Sequence, residues 1–150
     1  MTMHHLIRNT LLLSSLSFSV ALLPGCAGAG EGSPSVETAS PAVQGEWVVG
    51  ELDGKQMVGD TEVVLTFGPG GSFSGDSGVN RLRAGYTLEG DVLELSEILA
   101  TRMAGAPELM EQESRLMAAL EAARGVLVTG DDRLRLVDGG GEVLLVSLRR

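Results

Sequence analysis

The side chains best equipped for chemistry fall in one short stretch, Gly75-Asp76-Ser77-Gly78-Val79-Asn80-Arg81. A serine in a Gly-Asp-Ser-Gly turn is a setting for a nucleophile, but its hydroxyl needs a base to activate it. Both histidines, His4 and His5, lie at the extreme N-terminus, and the single lysine, Lys55, sits in Asp-Gly-Lys-Gln-Met with nothing around it that resembles a Ser–Lys site. A tight Gly/Ser/Asp turn between strands is therefore the better account of Ser77. Two readings stand for the next pair. Arg81 can clamp a carboxylate or phosphate while Asn80 orients the ligand. Alternatively, Asn80 adopts a left-handed turn conformation and its side chain satisfies backbone groups.

Other candidates are weaker. Asp131, Asp132 and Asp138 lack the alternating oxygen pattern of a calcium loop and read as turn residues. Zinc has no histidine or free thiol to bind once the N-terminus is set aside. Glu94 and Glu97 form one of the chance carboxylate pairs that twenty acids in a short chain produce. Met103, Met110 and Met117 can fill a core or line a soft apolar cavity, because methionine adapts to irregular shapes. Met103 thus joins Asn80 and Arg81 as a possible ligand or partner contact. No catalytic residue, metal or cofactor is expected, and the protein reads as a non-enzyme.

The N-terminus sets the context. Arg8 precedes an apolar stretch, residues 11–23, that is too short to span a bilayer as a helix. It fits the hydrophobic region of a signal peptide. Leu23-Pro24-Gly25-Cys26 resembles the lipobox of bacterial lipoproteins. The resemblance implies a lipid on the Cys26 sulfur, cleavage after Gly25 and a membrane partner reached through that lipid. Ala27 in place of an aspartate points to the outer membrane, facing the periplasm. The alternative is an ordinary secretory signal that leaves Cys26 a free thiol, a liability in an oxidising compartment. Residues 26–44 are rich in Gly, Ala, Ser and Pro, a linker composition that reaches roughly 60 Å when extended. The expected organisation is a signal peptide at 1–25, lipidated cysteine and linker at 26–44, and one folded domain at 45–150. Removal of residues 1–25 leaves ten basic against twenty acidic side chains, a formal charge of −10. That balance repels phosphate backbones, so nucleic acid is not an expected partner.

The elements that must position the motif alternate in period. Residues 45–52 form a β-propensity run closed by Asp53-Gly54, a strong turn pair. Residues 62–67 alternate with Val63, Leu65 and Phe67 on one face, and further strands are expected at 72–75, 83–88 and 91–95. The period then becomes helical. Pro107 suits a first turn, Glu108, Glu111 and Glu113 favour its positive end, and Leu109, Leu116, Leu120 and Ala123 recur on one face up to a stop at Gly125. Strands are expected again at 126–129, 133–137 and 142–148. Short strands with one inserted helix predict an antiparallel sheet curled over that helix.

Ser74–Arg81 also resembles the "sGxsGCNrf" signature of the META domain, the HslJ-like family of bacterial heat-shock proteins. Trp47, Leu65-Thr66-Phe67, Gly85-Tyr86, Thr101-Arg102-Met103-Ala104, the acidic helix and Gly130–Leu136 fall in the family's order, so the likeness spans residues 45–150. Where the family often carries cysteines, this chain has Val79 and Gly105. Their joint absence is what spatial partners would show. The resemblance implies a mainly β (α+β) fold: a small, strongly curved, partly open antiparallel β-barrel with one helix packed on it, related in shape to lipid-binding pilot lipoproteins. It also implies links to envelope stress and resistance to hydrophobic drugs. The expected function is non-catalytic binding of a protein or envelope component by a monomeric, membrane-tethered domain. The alternatives are a carrier or sensor of a lipid or hydrophobic small molecule within the barrel, and a hydrolase using carboxylates only.

Overall fold

The computed structural model describes residues 42–130 and 132–150, so Cys26, the signal segment, most of the linker and Asp131 lie outside the described residues. The chain runs β1 (Gly45–Leu52), β2 (Lys55–Gln56), β3 (Val64–Gly68), a single 3-10 turn (Pro69–Gly71), β4 (Ser72–Asp76), β5 (Arg81–Glu89), β6 (Val92–Leu95), β7 (Leu99–Ala100), α1 (Pro107–Ala122), β8 (Gly125–Thr129), β9 (Arg133–Val137) and β10 (Val143–Arg149). Adjacent strands pair antiparallel in the order β1-β3-β4-β5-β6-β8-β9-β10, and β10 returns to β1 to close the barrel. β2 and β7 are short appendages on β1 and β5. The seam between β6 and β8 is narrow, with Val92↔Gly125 as its register pair. There the link from helix to β8 helps: the Leu93 N–H donates to the Arg124 carbonyl at 2.9 Å and the Val126 N–H to that of Asp91 at 2.9 Å.

The period-2 pattern turns one side of the barrel strands inward. Val63, Leu65 and Phe67 are buried, as are Tyr86 and Leu88, Leu134 and Leu136. Phe67 meets Phe73 and Tyr86 edge-on, each with ring centroids 5.1 Å apart. The Tyr86 hydroxyl donates to the Gly68 carbonyl at 3.0 Å, and burial raises its pKa above the usual tyrosine value. Asp53 and Gly54 both take positive φ, 48° and 70°, the geometry of a two-residue hairpin turn between β1 and β2.

The helix lies across the mouth where β1 and β9 end. Gln112, Leu116, Ala119, Leu120 and Ala123 turn inward, the last four joining the apolar core. The Arg115 guanidinium donates to the Leu52 carbonyl at 2.8 Å, and the Arg124 N–H donates to that of Val137 at 2.9 Å. The helix stops at Ala122, earlier than the glycine signal indicated. Ala123 is already extended, and the Arg124 side chain caps the free carbonyls of Glu121 and Ala123 at 2.8 and 2.6 Å. Gly125 instead opens β8, where a Cβ would meet Val137 Cγ2 at 2.8 Å.

Residues 42–44, assigned by composition to the linker, are held against the barrel. Val43 is buried and its carbonyl accepts the Trp47 indole N–H at 2.8 Å. Arg149 donates to the carbonyls of Gln44 and Ala42 at 2.9 and 2.7 Å and stacks over the Trp47 ring at 4.3 Å.

Leu120 is wholly buried under the barrel, whereas Leu127 on β8 is 41% exposed. Leu120→Ala should cost about 2–5 kcal/mol of unfolding free energy. Leu127→Ala should stay within about 1 kcal/mol, as surface changes do. Urea unfolding of both variants checks the contrast.

Candidate functional site

The turn between β4 and β5 is built by its own small residues. Gly78 takes φ 86°, and its N–H donates to Asp76 Oδ1 at 2.9 Å. The left-handed position thus belongs to Gly78 and not to Asn80, since Asp53 is the positive-φ non-glycine among the described residues. The Ser77 N–H donates to the Asn80 carbonyl at 2.9 Å, and Ser77 Oγ accepts the Asn80 N–H at 2.9 Å. The Ser77 hydroxyl donates to the Glu113 carboxylate on α1.

Asn80 completes the connection. Its Nδ2 donates to Glu113 Oε1 at 2.9 Å and to the Met103 carbonyl at 3.3 Å. Its Oδ1 accepts the Thr101 hydroxyl and the Met103 N–H, each at 2.8 Å. An asparagine amide offers two donors and two acceptor lone pairs, and all are engaged here. Thr101 Oγ1 in turn accepts the Arg81 N–H at 3.0 Å. Ser77 is fully buried and Asn80 is 2% exposed. The site therefore joins three segments: the β4–β5 turn, the chain after β7 and the N-terminal half of the helix. Its polar groups serve one another.

Arg81 points the other way. It and Arg83 stand exposed on the outer face of β5, opposite Asp76 and Ser74 of β4. With Val64 and Thr66 of β3 they border a shallow trough of about 240 Å³. Met103 is 58% exposed and holds Asn80 through its backbone alone. Met110 is also exposed and only Met117 packs on the core, so the three methionines do not line a common cavity. The inward face of the helix is set by Leu116, Ala119 and Leu120, and Met103 lies ahead of the helix altogether. Among the described residues no group of three or more His, Cys, Asp or Glu side chains is placed to hold a metal ion.

A family model described as the META domain matches residues 40–150. The chain belongs to the META domain family. No curated protein matches it. Two structures solved by NMR share the fold. One is 22% identical over 71% of this chain and 90% of its own, with a TM-score of 0.58. The other, from Burkholderia xenovorans, is 24% identical over 72% of this chain and 83% of its own, with a TM-score of 0.57.

The META-domain positions that often hold cysteine are neighbours here. A Cβ at Gly105 would stand 3.5 Å from Val79 Cβ, at the short end of the separation a disulfide spans. The same Cβ would meet Val79 Cγ2 at 2.8 Å, so with valine at position 79 a side chain at 105 would force a shift. Two members of the network, Thr101 and Glu113, are not among the candidate contact residues that the sequence gives; there they read as part of a family motif and as a helix-start acid. For Glu113 a signal was present: it lies three and seven residues before Leu116 and Leu120, on the flank of the same helical face.

Three expectations follow. Asn80→Ala should lower unfolding free energy by about 2–4 kcal/mol, because it strips partners from the Met103 N–H and from the Glu113 carboxylate. Arg81→Ala should leave stability nearly unchanged; denaturant midpoints of the two variants distinguish them. A Val79→Cys/Gly105→Cys variant should form a disulfide on oxidation and gain about 3 kcal/mol over its reduced form, read by thermal unfolding with and without reductant.

Proposed function

We propose that this META-domain chain is a lipoprotein, anchored through lipid on Cys26 to the cell envelope, most naturally the outer membrane. Its domain supports envelope integrity or the stress response by binding, not catalysis. The carrying observation is how the polar motif is used. Ser77, Asn80 and Glu113 spend their hydrogen-bonding capacity on one another and on backbone, whereas Arg81 and Arg83 face outward. A serine fully buried against a helix is poorly placed to attack a substrate.

The interior supports surface binding over carriage of a lipid inside the barrel. Trp47, Leu65, Leu93, Leu116, Leu120, Leu134 and Leu136 are each 0% exposed and belong to one core cluster.

Cys26→Ala should move the protein from the membrane to the soluble fraction. Fractionation that finds the variant still acylated and membrane-bound would sink the lipoprotein reading. Arg81→Ala should lower the domain's activity in an envelope-stress assay modestly while its circular dichroism stays native.

A further inference from the structure

We propose that the trough on the outer face of β3, β4 and β5 binds a phosphate group. Three adjacent strands build it. Register places Thr66 beside Ser74 and Ser74 beside Arg83 in one row, and Val64 beside Asp76 and Asp76 beside Arg81 in the next. β4 supplies a floor of small side chains, and the arginines of β5 rise along one wall. Arg81 and Arg83 are two residues apart on the same strand face, about 6.6 Å along the strand, so both guanidiniums reach one anion. Among the described residues neither guanidinium has a hydrogen-bond or ion-pair partner; the ion pairs there use Arg115 and Arg150.

The chemistry of the row selects the ligand. Two hydroxyl residues and an arginine stand side by side on three strands and line one trough, a donor set that suits a tetrahedral group with three or more acceptor oxygens better than a flat carboxylate with two. Asp76 does not cancel the site. It stands across from Arg81 without an ion pair, and its Oδ1 already accepts the Gly78 N–H at 2.9 Å. Its charge biases the anion toward the Thr66–Ser74–Arg83 row. An acidic domain repels anions in general, so two unpaired arginines bordering a concave surface mark where one is admitted. Leu99, 65% exposed on β7 and paired with Arg83, leaves room beside the site for an apolar extension of the ligand.

This proposal rests on the reading that the domain acts by binding, but not on the anchor at Cys26. The test is ¹⁵N NMR of the full chain in a phosphate-free, non-ionic detergent, titrated with inorganic phosphate. Saturable shifts are expected at Ser74 and Arg83. Affinity should fall at least about tenfold in both Arg81→Gln and Arg83→Gln, the scale of one lost charge-assisted hydrogen bond. Arg133→Gln, on β9 across the barrel, should leave it unchanged. Phosphatidylglycerol added to the micelles separates the sources: displacement of phosphate from the same amides marks a lipid headgroup, and phosphate binding without displacement marks a soluble phosphate. No saturable shift at millimolar phosphate, or equal loss in Arg133→Gln, overturns the proposal. Because the titration does not use the lipid, that failure would leave membrane fractionation of Cys26→Ala unaffected.

Discussion

The structure turns on the Glu113 carboxylate. It accepts hydrogen bonds from the Ser77 hydroxyl and the Asn80 amide, and so fastens the helix to the one turn that also holds the chain after β7. A partly buried carboxylate is costly unless its oxygens are met by donors. Here they are, and no buried side-chain polar atom among the described residues lacks a partner. Such a network, fully satisfied, fixes one arrangement of the parts it joins. Apolar packing of Leu116 and Leu120 drives the helix onto the barrel and sets its rotation only to within the width of that stripe. The polar contacts at Gln112, Glu113 and Arg115 do specify it.

The barrel has a complementary need. Seven of its junctions are ladders of several register pairs, and the β6–β8 seam is the thin one. The helix connects directly into β8, so Arg124, two residues past its end, sits in that seam and bonds both Leu93 and Val137. Fixing the helix at its first half by Glu113 therefore also steadies the place where the ring closes. At the opposite end, Arg149 clamps the entering chain against Trp47.

Much of this was legible in the sequence. Alternation in residues 62–67 and 133–137 located β3 and β9 with the correct inward faces, and Asp53-Gly54 announced its turn. The META-domain likeness supplied the curled barrel with one helix. What escaped has physical reasons. β2 and β7 are two residues long, too short to show a period. The helix end was misplaced because an arginine side chain, rather than a glycine, satisfies its last carbonyls. Residues 42–44 look like linker because their hydrogen bonds are made by backbone carbonyls, which composition does not report, and their one core side chain, Val43, shows no period on its own. Asn80 was legible as a residue that satisfies backbone, but its partners Thr101 and Glu113 are 21 and 33 positions away. No local pattern carries pairings of that range.

A motif that resembles catalytic or ligand-binding apparatus thus fastens the helix to the β4–β5 turn. The most direct test is a double-mutant cycle on Asn80→Ala and Glu113→Ala, measured by urea unfolding. A coupling energy of at least about 1 kcal/mol between the two positions is the result this account predicts. Additive effects, or single variants each as stable as the parent, would contradict it and return the buried pair to the list of groups awaiting a function.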